Sequence, residues 1–185
     1  WQRGLNALTP KSIHVSWVHA VPTEFHPRYD ATSRRYTYVF YDQQRTDPFV
    51  AGLAWCCDVL NADAMHEQAQ CLLGEQDFSS FRGAGCQSLT PMRRVDRVWV
   101  RRQGAYVVMD IEANSFLLHM VRNIASGLLS VGHGASNTYL ADVLAARDRS
   151  VLGVTAPPQG LYLSQVRYPN VVLPEVTALP SILRA

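Results

Sequence analysis

The stretch RVDRVWVR at residues 94–101, followed after Gln103-Gly104 by YVVMDIEA at residues 106–113, decides the fold class. Two runs rich in branched and aromatic residues, joined by a short turn containing glycine, predict an antiparallel hairpin. In its second arm Val107, Met109 and Ile111 alternate with Val108, Asp110 and Glu112, the period of a strand with one face toward a core. Upstream, Arg34 to Tyr41 (RRYTYVFY) predicts the strongest single strand and Asp42 to Phe49 a turn, while Ile13 to Val21 (IHVSWVHAV) predicts a strand closed by Pro22. Asn61 is a good cap for a helix over Ala62 to Leu73, which Gly74 stops. Downstream, Phe116 to Leu129 predicts a buried helix, Tyr139 to Arg147 a shorter amphipathic one, and Leu161 to Tyr168 a last strand. Strands and helices alternate irregularly around a hairpin. That pattern gives an α+β fold with a largely antiparallel mixed sheet and helices packed on it, not a doubly wound one. Residues 1–169 form the domain, and 170–185 a tail containing proline.

The 185 residues are 48% hydrophobic and 17% charged, enough apolar material for a core and too little charge for disorder. The longest charge-poor segment, Ala113 to Ala141, is broken by Arg122, Asn123, Ser126, Gly127 and Gly132, so no membrane span is expected. The opening Trp1-Gln2-Arg3-Gly4 lacks the basic start and apolar run of a secretory signal. Cys56, Cys57, Cys71 and Cys86 have neither zinc-finger nor C-x-x-C spacing and read as reduced thiols of a cytoplasmic protein. No P-loop, G-x-G-x-x-G, G-x-S-x-G or H-E-x-x-H occurs and the six histidines are scattered singly, so neither cofactor nor metal is expected.

Three features stand above that background. Arg122 is the only formally charged residue between Glu112 and Asp142. A guanidinium on a buried helix needs a carboxylate or carbonyls to satisfy it, as a catalytic ion pair or a structural one, unless the side chain snorkels to solvent at the helix edge. In Arg34-Arg35-Tyr36-Thr37-Tyr38 the aromatic rings share one strand face. They could stack on an unstacked base, or simply form an aromatic core. Finally, Arg82 to Arg102 holds six arginines (Arg82, Arg93, Arg94, Arg97, Arg101 and Arg102) against Asp96, with Gly83, Gly85 and Thr90-Pro91 in its first half. That is either a phosphate cradle or a solvated hairpin face. Sixteen of the seventeen basic residues are arginine, which suits phosphate recognition and equally an Arg-favouring codon usage.

In order along the chain, FHPRYDA (25–31), RRYTY (34–38), CLLGEQDFSSFR (71–82), TPMR (90–93), ANSFLLHMVRN (113–123) and QGLY (159–162) resemble the tRNA pseudouridine synthase A family. The resemblance implies a pseudouridine synthase-like fold and isomerisation of uridines at positions 38 to 40 of the tRNA anticodon arm, without a cofactor. It implies tRNA as partner, a homodimer, and no role for DNA or a membrane. By it, Tyr36 matches the active-site tyrosine that stacks on uracil, Arg122 the arginine that pairs with the nucleophilic aspartate, and Leu161 the apolar residue closing the other side of the base. Arg28, Arg34, Arg35, Arg82 and Arg93 are expected to face RNA. The family's nucleophile lies in a Gly-Arg-Thr-Asp-Ala-Gly segment upstream of the point matching Trp1. The chain is therefore expected to be the C-terminal, major portion of the enzyme, inactive alone. Arg45-Thr46-Asp47 imitates that segment but follows the Tyr36 strand and lacks its flanking Gly and Ala. A catalytically silent RNA-binding module is the alternative.

Overall fold

The strand Ser33–Tyr41 (β1) organises the sheet, because both of its edges are paired. The computed structural model describes residues 1–43, 45, 47–169 and 171–174. A short helix, Gln2–Leu8 (α1), precedes β1; after it come Trp55–Cys56 (β2), Ala62–Ala69 (α2), Gly74–Asp77 (β3), Met92–Gln103 (β4), Tyr106–Ala113 (β5), Met120–Gly132 (α3), Tyr139–Ala146 (α4) and Leu161–Arg167 (β6). The sheet order is β2-β1-β5-β4-β3, with β6 lying along the same edge of β1 as β2. Among the described residues only the β1–β2 pair is parallel. The α+β class with a largely antiparallel mixed sheet is thus the observed one.

Period-2 alternation divides the sheet into two faces. On one, Tyr38, Phe40, Val98, Val100, Val107, Met109 and Ile111 pack against Met65 and Ala69 of α2, Ile124 and Leu128 of α3, and Leu140 of α4. Each such fully buried side chain contributes roughly 1.5–3 kcal/mol. On the other face the turn around Val50 and Ala54 covers Val39, Tyr106 and Val108. β5 is consequently buried on both sides, where the alternation of its sequence predicted one. Asp110, on the face away from the helices, is only 6% exposed. It accepts hydrogen bonds from Thr37 Oγ1 at 2.6 Å and Arg101 Nη1 at 2.6 Å, with Arg35 at 3.2 Å. Burial alone would raise its pKa, but these three partners outweigh it and hold the carboxyl below the usual carboxylate range.

The hairpin, the RRYTYVFY strand, the helices beginning at residues 62 and 139 and the last strand all stand within a residue or two of expectation. Asn61 caps α2, its Oδ1 accepting from Ala64 N at 3.0 Å, and the last turn of that helix tightens into a 3₁₀ turn at Gln70–Leu72. Two expectations fail. Ile13 to Val21 is not a strand; it has no neighbouring strand among the described residues. Instead the Asn6 side chain stands in for one, taking Val15 N at 2.7 Å and giving to Val15 O at 2.9 Å. The helix expected from Phe116 begins only at Met120 and continues to Gly132. It cannot start earlier, because His119 adopts a left-handed backbone (φ 59°) and Leu118 O accepts Gly83 N–H at 2.8 Å. β3 was not foreseen: its sequence GEQD carries no strand-favouring residue, and pairing with β4 alone makes it a strand. Most of the expected tail, residue 170 and residues 175–185, lies outside the described residues.

Candidate active site

The β1–β6 pair places Tyr36 opposite Leu163 and Tyr38 opposite Leu161. These four side chains lie on the face that carries the helices. Tyr38 is fully buried, Tyr36 and Leu161 are half-buried at the rim of the core, and Leu163 is exposed. Tyr36 and Leu161 are diagonal neighbours, a relationship that spaces residues about 7–8 Å apart. One planar ring with a van der Waals contact on each side needs about that much room. Phe116 meets the Tyr36 ring edge-on, with centroids 5.1 Å apart. Leu161 is set in register by Gly160, whose φ of 98° and close approach to β1 leave no room for a side chain: a Cβ would lie 2.7 Å from Val39 O.

Arg122 sits near the N-terminus of α3, half-buried, and donates from Nε to Ala156 O at 2.6 Å. One residue on, Pro157 O accepts the Tyr38 hydroxyl at 2.9 Å. Burial raises the Tyr38 pKa strongly, and the Arg122 charge acts against that rise; the two side chains are bonded to successive carbonyls, those of Ala156 and Pro157. Among the described residues no carboxylate lies within 4.0 Å of Arg122, and its Nη atoms have no hydrogen-bond partner. Asp47 does not supply one. Its Oδ1 accepts Phe49 N at 2.9 Å, and its charge acts on Cys56 and on Tyr106, which belongs to the opposite face of the sheet.

The arginines expected at an RNA surface divide by their bonding. Arg34 reaches Arg28 O and, at 3.4 Å, Asn114 O, while Arg35 pairs with Asp110. Arg82 donates to Cys86 O at 2.9 Å and Ser88 O at 2.7 Å; Arg93, 8% exposed, donates to Thr90 O, Met92 O and Ser88 Oγ. The glycine-containing first half of the Arg82–Arg102 stretch is therefore stapled from within by two guanidinium groups. Of the five, Arg28 alone makes no side-chain hydrogen bond or ion pair among the described residues; its guanidinium lies 5.9 Å from the centre of the exposed Tyr29 ring. On the hairpin, Arg94 pairs with Asp96, Arg101 with Asp110 and Arg102 with the buried Asp42, which leaves Arg97 unpaired among the described residues.

Among the described residues no three His, Cys, Asp or Glu side chains converge as a metal ion would require, and no helix is long and apolar enough to cross a membrane. An open groove between β3 and α4, lined by Cys71, Glu75, Met92, Ala141 and Leu144, shares no residue with the Tyr36–Leu161–Arg122 cluster.

Residues 68–169, more than half of the chain, match the family model described as tRNA pseudouridine synthase. The chain belongs to the tRNA pseudouridine synthase family. Proteins named tRNA pseudouridine synthase A from Salmonella paratyphi B, Salmonella newport and Salmonella heidelberg are each 49% identical to it over 172 residues. That alignment covers 92% of this chain and 64% of each relative, so the chain spans under two thirds of their length. The family match takes in α3 and the Gly160-Leu161 turn, and with them Arg122. Tyr36 lies upstream of it. Three neighbours of these residues escaped the sequence reading: Phe116 against Tyr36, the Ala156 carbonyl that holds Arg122, and Leu163 across from Tyr36. Strand alternation would have given Leu163. Nothing local in the sequence points to a backbone carbonyl 34 residues away.

Proposed function

We propose that this chain is the base-handling portion of a tRNA pseudouridine synthase that converts uridine to pseudouridine at positions 38 to 40 of the anticodon arm. The observation that carries the reading is that Tyr36 and Leu161 are diagonal neighbours on the sheet face against which α3 packs, and that α3 brings there Arg122, whose charge acts on Tyr38, opposite Leu161. In the reaction the N1–C1′ bond of uridine breaks, the base turns, and C5 bonds to C1′. The C5 proton leaves to solvent and N1 takes one up, so the atoms balance without a cofactor. The base must be extruded from the RNA and held while detached. Tyr36 stacks on it and Leu161 closes the other face. Arg122 pairs through its Nη atoms with the nucleophilic aspartate and favours its ionised form by proximity of opposite charge. The family resemblance assigns that aspartate to a segment outside these 185 residues.

The same reading makes tRNA the partner, Arg28 a phosphate contact, and the protein a cytoplasmic homodimer. Four unpaired cysteines agree with a reducing compartment. The test is to incubate the protein, extended to the length of its relatives, with uridine-containing tRNA and analyse the nucleosides after digestion. Pseudouridine at positions 38 to 40 is expected. Salt-sensitive tRNA binding with no pseudouridine would overturn the reading in favour of a silent RNA-binding module.

A further inference from the structure

The segment from Arg149 to Pro157 has little regular structure beyond a 3₁₀ turn at Arg149–Val151, yet it is fastened to α3 by a run of polar bonds. Ser126 Oγ donates to Val154 O at 2.6 Å. Thr155 Oγ1 donates to Asn123 Oδ1 at 2.8 Å, and Arg149 Nη2 reaches both Asn123 Oδ1 at 3.3 Å and Thr155 Oγ1 at 3.1 Å. Arg149 Nη1 also closes on Leu152 O at 2.7 Å. Next comes Ala156 O, the acceptor of Arg122 Nε. The Asn123 side chain is wholly buried, and its Nδ2 donates to Phe81 O at 2.8 Å, immediately before the Arg82 loop.

Resting on the isomerase reading above, we propose that Asn123 and Thr155 are positioning residues that set the pose of Arg122. Within the described residues Arg122 has a single hydrogen-bond anchor, the Ala156 carbonyl. That carbonyl belongs to the residue after Thr155, and the Thr155 hydroxyl is bonded to the residue after Arg122. The Thr155–Asn123 bond therefore fixes the register of acceptor against donor, and Ser126 repeats it one turn further along α3. Without the bond, Ala156 O can slide along the helix and the guanidinium swings with it. An amide suits position 123, because it gives one proton to Phe81 O and takes two donors on its oxygen. A carboxylate would turn an oxygen toward Phe81 O, and a hydrocarbon would take the donor from Phe81 O and the shared acceptor from Thr155 and Arg149. A displacement on the scale of an ångström in a reacting constellation costs on the order of a hundredfold in rate. By the same segment Pro157, held by Tyr38, leads into Gly160 and Leu161, so one node aligns both the arginine and the apolar wall.

The test uses Thr155→Val, which keeps the side-chain shape and deletes the hydroxyl, with Thr155→Ser as the conservative rescue, both in the full-length protein. The single-turnover rate on saturating tRNA should fall about ten- to a hundredfold in Thr155→Val and return to within about threefold of wild type in Thr155→Ser. Affinity for tRNA should stay within about twofold in both. A readout independent of turnover is hydrogen exchange of the Arg122 Nε–H, which should quicken at least about tenfold in Thr155→Val only. Wild-type turnover and exchange in Thr155→Val would overturn the positioning role. Should the wild type itself form no pseudouridine, the isomerase reading fails, and the exchange comparison still decides whether Thr155 holds Arg122.

Discussion

The ring of Phe116 stands edge-on to that of Tyr36, at an interplanar angle of 88° and a centroid separation of 5.1 Å. Because His119 turns the chain just before α3 begins, Phe116 precedes the helix rather than lying on it. From there it supports the half-buried Tyr36 side chain from the flank. Removing it should loosen the stacking surface more than it loosens the fold. Phe116→Ala is expected to lower pseudouridine formation at least about tenfold. It should destabilise by about 1–3 kcal/mol, since the residue is only partly buried and the aromatic pair itself contributes about 0.5–1.5 kcal/mol. Urea unfolding and nucleoside analysis on the same preparation check both halves. Full turnover would remove Phe116 from the account.

Asp110 offers a prediction with a definite sign in pH. Thr37, Arg101 and Arg35 hold its carboxyl below the ordinary value despite burial. A carboxyl with a depressed folded-state pKa stabilises fully above its unfolded value, about 3.9, and loses that contribution as pH falls through the folded value. Asp110→Asn should therefore be about 1–3 kcal/mol less stable than wild type at pH 7, with the gap closing below about pH 4. Unfolding curves at pH 7, 5 and 3 measure it. A gap constant across that range would mean that the charge of Asp110 contributes nothing.

The arginines separate into structural and RNA-facing groups by experiment. Arg93→Ala removes a buried guanidinium from two carbonyls and a hydroxyl, so it should cost about 1–3 kcal/mol of stability. Arg28→Ala should leave the unfolding midpoint unchanged, weaken tRNA binding, and reduce the slope of log affinity against log salt by about one. Thermal melts and a salt titration of binding distinguish the two. An Arg28→Ala protein with wild-type salt dependence would take Arg28 out of the RNA surface.

Gly160→Ala probes the turn that sets Leu161 in place. The new Cβ would sit 2.7 Å from Val39 O on a backbone with φ of 98°, a conformation costing an L-residue about 1–2 kcal/mol before the clash is counted. A fall in melting temperature of more than about 5 °C is expected. A wild-type melt would show that the β1–β6 register tolerates a side chain there.

Much of this was legible in the amino-acid order. The hairpin and RRYTYVFY gave the antiparallel sheet because alternation and branched residues are local properties. The isolation of Arg122 in an apolar run marked it as requiring a partner. What could not be read arises from contacts distant in sequence. IHVSWVHAV alternates as a strand does, but a strand needs a neighbour, and the Asn6 amide takes that place. GEQD has no strand propensity and becomes β3 through β4 alone. The six arginines of 82–102 looked like one basic surface, yet Asp42 and Asp110, placed elsewhere in the chain, neutralise two of them and loop carbonyls engage two more. The anchor of Arg122 is a backbone carbonyl, which no residue type advertises.

The most direct measurement is tritium release from C5-labelled uridine in an anticodon-arm RNA by the full-length protein and its Arg122→Met variant, with RNA affinity measured alongside. Release by the wild type is expected, with a sharp loss in the variant at unchanged affinity. Near-normal release by Arg122→Met would contradict the role assigned to Arg122, and no release by the wild type would contradict the isomerase itself.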